Sequence, residues 1–232
     1  GNMPQYTAPL NDMNFVLFDV LKAQQLSELD MFEDANEERF KAIMEEAAKL
    51  AENVMLPVNA IGDQKACHYN TDDYSVTTPE GFKEAYTQYR AGGWSGLSAS
   101  TDFGGQGLPH LLKMVVDEMV CSSNLSLGMY PGLSHGAIDC LSKHGNQTLQ
   151  NYYLPKLIEG EWTGTMCLTE PQCGTDLGLI QTKAVPSVGE ASFENEYLIS
   201  GTKIWITGGE QDLTDNIVHL VLAKLPGAPD SS

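Results

Sequence analysis

Near residue 162 the apolar periodicity of this chain changes from every third or fourth residue to every second one. That switch constrains the fold more than any other feature, because a 3.6-residue period cannot lie flat in a sheet and a two-residue period cannot wrap a helix. Upstream, Phe40, Ile43, Ala47, Leu50, Ala51 and Val54 form a helical stripe with acidic residues between them. The pattern predicts a helix from Glu33 to Leu56, its acidic start suited to the helix dipole and its end set by Pro57. TTPEGFKEAYTQYRAGG predicts a second helix, with Thr78 as cap, Pro79 in the first turn and Gly92 past the end.

LPHLLKMVVDEMVCSS, YPGLSHGAIDCLSKHG and NQTLQNYYLPKLIEGE predict three more helices, the second ended by Gly145 and the last interrupted by Pro155. Ahead of them all, NFVLFDVLKAQQL reads as a short amphipathic helix, and GGWSGLSASTDFGGQGLP as a glycine-dense loop. Downstream of the switch, TGTMCLT, LIQTKAV, EYLIS, TKIWIT and IVHLVLAK predict five short strands. The resulting organisation is α+β: a lead-in over 1–32, an all-α domain over 33–162, and part of a β-barrel over 163–232. Five strands rarely close a barrel, so the chain is expected to stop partway through a larger protein.

Charge narrows the partners. With 31 acidic against 13 basic residues, a formal −18, the chain lacks the basic footprint that nucleic acid or an anionic membrane requires. Its longest apolar run, FVLF, is too short for a membrane span. The five cysteines include no CxxC pair and no secretory leader opens the chain, so a reducing, cytoplasmic setting is expected. Cys67-His68 has no second half at ligand spacing, so no metal site is expected.

The densest chemistry lies in MCLTEPQCGTD at 166–176. The strand ends at Thr169, because Pro171 cannot donate to a sheet ladder. Gly174, Thr175 and Asp176 then present consecutive backbone N–H groups beside a hydroxyl, an arrangement able to hold an anionic or carbonyl oxygen without lysine. The same residues equally describe a plain strand-ending turn. Cys173 would be a nucleophile only if a base approached it. GTKIWITGGEQD at 201–212 repeats the design, with Trp205 pointing away from the face of Ile204 and Ile206. Trp205 reads either as a sheet-face residue or as the cover of a planar ring.

MCLTEPQCGTD followed by KIWITGG resembles the two flavin-binding segments of the acyl-CoA dehydrogenase family. GWSGLSASTDFGGQGLP and KHGNQTLQNYYLPKLIEGEW are similar to that family's glycine-rich loop and to its helix ending in Y-L-P-x-L-x-x-G-E. YTAPLNDMNFVL, GEWTGTMCLTEP and DNIVHLVLAKLPGAP resemble the long subgroup typified by 3-methylmercaptopropionyl-CoA dehydrogenase.

The resemblance implies a helical domain, a middle β-barrel and a C-terminal helical domain, the last absent from this chain. It implies FAD as cofactor, an acyl-CoA thioester as substrate and α,β-dehydrogenation as reaction. Electron-transfer flavoprotein is the implied acceptor, and a homo-oligomer the implied assembly. Met166, Cys167, Leu168, Thr169, Gly174, Thr175, Trp205, Ile206 and Thr207 match the cofactor-binding positions, and Thr175 also the position facing the substrate's pantetheine arm. The catalytic glutamate belongs to the C-terminal domain, so no catalytic residue is assigned here, and the fragment is expected to be inactive. Gln172 and Cys173 depart from the small pair usual in the family. Two other readings keep the resemblance: a truncated, non-catalytic binding or scaffold module, and an oxidase or monooxygenase on the same scaffold.

Overall fold

The computed structural model describes residues 5–29, 32, 35–59, 67–73, 75–167, 183–186, 197–200, 203, 210–223 and 225–227. Helix α1 (Leu10–Asn14) runs directly into a π-helical turn over Phe15–Val20, followed by a 3₁₀ segment at Ala23–Glu28. Helix α2 (Glu37–Leu50) is capped by Asn36, whose side chain accepts the Arg39 N–H at 2.9 Å. Pro57 does not end the helical course as the sequence predicts: a π-helical turn over Ala51–Met55 leads into helical residues 56–59. The wider π turn relieves the clash between a proline ring and the preceding turn.

Thr78 does not cap the next helix. Helix α3 (Phe82–Ala91) starts from Gly81 at φ +87°, while the Thr78 N–H and hydroxyl donate to Asp212 Oδ1 at 3.0 and 2.6 Å. A carboxylate 134 residues downstream outcompetes the local cap. A two-residue hairpin, β1 (His68–Tyr69) with β2 (Val76–Thr77), precedes α3. Its turn is closed by Asn70 and Asp73 side chains accepting from Asp72 N and Ser75 N.

Helices α4 (His110–Ser123) and α5 (Leu125–His144) meet at Asn124. Its buried side chain accepts from Leu127 N at 3.1 Å and donates to the Met55 carbonyl at 3.1 Å. That cap starts α5 five residues before the stretch marked by its apolar pattern. Helix α6 (Gln147–Glu159) continues through Pro155. The break costs about 3 kcal/mol in an isolated helix, and burial of Leu154, Leu157 and Ile158 offsets it here.

The main core joins Leu17 and Phe18 to Phe40, Met44, Phe82, Tyr89, Leu112, Met119 and Leu127. Within it Lys113 is only 2 % exposed, with Nζ donating to Asp117 Oδ1 at 2.5 Å and to Tyr89 Oη at 3.3 Å. A second core packs Ile138, Leu141, Leu154, Leu157 and Ile158 against Val218 of the sheet.

Strand β3 (Trp162–Cys167) pairs in parallel with β6 (Asn216–Val221), Thr165 opposite His219 and Met166 opposite Leu220. β4 (Lys183–Pro186) and β5 (Tyr197–Ser200) form a separate antiparallel pair. Four of the five strands expected downstream of the switch are thus present, and TKIWIT apart from Lys203 lies outside the described residues. Among the described residues the strands form three two-stranded sheets, and no helix is long and apolar enough to cross a membrane.

Candidate functional site

The helical layer delivers the chain to β3 through a fixed corner. Gly160, at φ +84°, takes the left-handed conformation that ends α6. Its carbonyl accepts the buried Tyr86 hydroxyl at 2.7 Å. Burial raises the Tyr86 phenol above its ordinary value, which keeps this donor protonated. A Cβ at Gly160 would meet Arg90 Cγ at 2.9 Å, so the corner has room for glycine only. Arg90 also holds Glu159 through both carboxylate oxygens, at 2.7 and 2.8 Å.

Alternation along β3 then separates two faces. Gly164 and Met166 share one. Gly164 lies against α5: its N–H donates to Ser134 Oγ at 3.0 Å, and a Cβ there would fall 2.5 Å from Ala137 Cβ. Two residues on, Met166 is the one exposed residue of the strand, at 37 %. The strand end therefore offers an exposed apolar side chain on the face that Gly164 turns to α5.

Thr163, Thr165 and Cys167 share the opposite, buried face. Thr165 Oγ1 and His219 Nδ1 are 2.5 Å apart, and Cys167 Sγ lies 3.9 Å from the same nitrogen. The Cys167 carbonyl accepts from Leu222 N at 3.1 Å, which ties the end of β3 to the chain leaving β6. Further back, the Gln211 amide donates to Thr163 Oγ1 at 2.8 Å and to Thr214 Oγ1 at 3.0 Å. Tyr130 of α5 stands near Cys67 and Asp212, and burial, reinforced by both neighbours, pushes its hydroxyl up to about 12. It is a neutral group at physiological pH.

Of the nine residues picked out by sequence, the structure describes Met166 and Cys167, on opposite faces of one strand. Leu168, Thr169, Gly174, Thr175, Trp205, Ile206 and Thr207 lie outside the described residues. Sequence reasoning passed over Ser134, Gly164, Gln211 and Asp212. Gln211 and Asp212 follow Glu210 after the glycine pair of GTKIWITGGEQD, where polar residues read as turn; nothing local announces partners 48 and 134 positions away. A groove of about 450 Å³ lined by α1, its π turn and α4 contains no residue of β3.

Comparison with known proteins places this architecture. A family model described as acyl-CoA dehydrogenase, N-terminal domain, matches residues 37–161, more than half of the chain. The chain is 40 % identical over 225 residues to 3-methylmercaptopropionyl-CoA dehydrogenase of Ruegeria pomeroyi, covering 97 % of this chain and 37 % of that protein. It is 32 % identical to a butyryl-CoA dehydrogenase of Syntrophomonas wolfei, covering 96 % of this chain and 36 % of that protein. The chain thus spans little more than a third of the length of these curated relatives. Among solved structures, butyryl-CoA dehydrogenase from Megasphaera elsdenii superposes with a TM-score of 0.63 at 20 % identity, over 84 % of this chain and 44 % of that one. An FAD complex of PigA does so with a TM-score of 0.63 at 23 % identity, over 82 % and 44 %. These two likenesses establish the fold.

Proposed function

We propose, from the premise that this chain belongs to the acyl-CoA dehydrogenase family, that it supplies the N-terminal part of an FAD-dependent acyl-CoA dehydrogenase. In this reading residues 33–162 form the helical domain and 163–232 begin the flavin-binding β domain. The observation that carries it is the exposure of Met166 near the end of a strand whose other residues are buried or, at Trp162, half-buried. An isoalloxazine ring is flat and largely apolar, and an apolar side chain held beside a helix suits its face.

The residues present fit that group. Met166 would lie against the ring together with Leu168 and Thr169, and Cys167 would hold the strand's register through its carbonyl. Gly174 and Thr175 would face the pyrophosphate, with Thr175 also against the substrate's pantetheine arm. Trp205, Ile206 and Thr207 would form the second lip. When bound, FAD supplies a hydride acceptor for α,β-dehydrogenation of an acyl-CoA. This chain's contribution is to orient the two lips, exclude water and aim hydroxyl and N–H donors at the ring's polar edge, where negative charge grows. The excess of acidic residues leaves backbone donors, rather than a lysine field, to hold the phosphates.

The proton-abstracting glutamate would come from a C-terminal helical domain, so the 232-residue chain by itself is inactive and retains FAD weakly. Electron-transfer flavoprotein as acceptor, a homo-oligomeric assembly and a cytoplasmic location complete the proposal. Two measurements test it. The isolated chain, assayed with an acyl-CoA and a dye acceptor, shows no oxidation, and any turnover would refute the division of labour. In the complete protein Thr207→Val slows flavin reduction while leaving the unfolding midpoint nearly unchanged, and unaltered reduction kinetics would remove Thr207 from the site.

A further inference from the structure

We propose that Gln211 is a positioning residue, a buried strut that fixes the spacing between the two flavin-facing segments; this rests on the functional reading above. Gln211 is 4 % exposed, and both ends of its amide are engaged. Its Oε1 accepts the backbone N–H of Leu213 and of Thr214, the latter at 3.2 Å. Those two donors fix the amide's orientation, so Nε2 must face the hydroxyls, donating to Thr163 Oγ1 at 2.8 Å and Thr214 Oγ1 at 3.0 Å.

The proton order is consistent throughout. Thr214 Oγ1 donates to the Asn216 carbonyl at 2.9 Å, so across its 3.3 Å contact with Thr163 it accepts. Every polar atom in the cluster thus has a partner, the condition under which a buried polar network specifies one geometry.

Location gives the strut its consequence. Thr163 lies on β3 six residues before Thr169, and Gln211 lies four residues after Thr207. One side chain therefore links the strand entering the first segment to the chain leaving the second. Its neighbour Asp212 carries that junction to the helical layer through Thr78. If the strut is lost, β3 stays on α5 through Gly164 and Ser134, whereas the chain after Thr207 is held to β3 only from Asn216 onward, through the β3–β6 pairing.

The test uses the complete protein with Thr163→Val, Gln211→Leu and their combination. Ser123→Ala, which removes a buried hydrogen bond to the Val120 carbonyl within α4, serves as a control for stability loss. Amide hydrogen exchange is followed over 164–169 and 204–209, and the FAD dissociation constant by flavin fluorescence. Expected are faster exchange over 204–209 and roughly tenfold weaker FAD binding for each single variant, the scale of one lost buried hydrogen bond. The double variant should be no worse than Gln211→Leu, and Ser123→Ala should move neither readout. Exchange and affinity in Thr163→Val matching those of Ser123→Ala would overturn the proposal. If Gln211→Leu fails to fold, the near-isosteric Thr163→Val decides alone. Wild-type protein that binds no FAD would sink the functional reading, and exchange over 204–209 would still pass or fail the strut.

Discussion

The Gly164 N–H donates to Ser134 Oγ at 3.0 Å, joining the middle of β3 to the middle of α5 through a single serine side chain. Only a glycine lets strand and helix approach so closely: a Cβ at position 164 would sit 2.5 Å from Ala137 Cβ. Gly164→Ala is therefore expected to destabilise by about 1–3 kcal/mol through overpacking. Denaturant titration measures it. Ala137→Gly in the same chain should restore part of the loss despite its own helix-propensity cost of about 1 kcal/mol. No recovery in the double variant would mean that contact with α5 is not the cause.

Asp212 holds Thr78 by two hydrogen bonds to one carboxylate oxygen. Asp212→Ala leaves a largely buried N–H and hydroxyl without an acceptor, at a cost of about 1–3 kcal/mol. Asp212→Asn keeps a carbonyl oxygen in the same place and should lose clearly less. Equal losses in the two variants, read as unfolding free energies, would show that the charge rather than the acceptor geometry matters.

His135 predicts an acid-sensitive α4–α5 contact. Its ring stacks on His110 with centroids 5.3 Å apart. Burial first, then Lys113 and His110, lowers the His135 imidazole below its ordinary value, while Asp117 and Asp139 act in the opposite sense. The folded chain thus binds this proton less tightly than the unfolded chain, and acidification favours unfolding. The contribution is fully present above the ordinary histidine value of about 6.5 and is lost as pH falls below it. Unfolding midpoints measured between about pH 7.5 and 5.5 should decline more steeply in the wild type than in His135→Gln. Parallel profiles would exclude this histidine.

How far this architecture was legible in the sequence depended on how local its causes were. The stripe of Phe40, Ile43 and Ala47 and the alternation in β3 are written into neighbouring residues, so both elements were readable. The caps were not. Asn124 binds Leu127 nearby but also Met55 across the core, and Thr78 left its expected helix for Asp212. Pro57 and Pro155 read as breaks because sequence shows the missing N–H but not the π turn or the buried leucines that offset it. The motif MCLTEPQCGTD draws attention to Met166, whereas nothing in the sequence marks Gln211, which meets Thr163 only once β3 and β6 lie side by side.

The last prediction separates binding from folding at Met166. This side chain is 37 % exposed near the end of β3 and belongs to neither hydrophobic core, so replacing it leaves both cores intact. Met166→Glu should change the unfolding free energy by no more than about 0.5 kcal/mol, the range of ordinary surface substitutions. FAD affinity should respond very differently, because a ring lying on this position would strip water from the new carboxylate without offering it a partner. In the complete protein, fluorescence titration is expected to show a loss of FAD affinity much larger than that of Met166→Leu, which preserves an apolar contact of similar volume. If glutamate and leucine bind FAD alike, the ring does not rest on β3, and the exposure of Met166 must serve another contact.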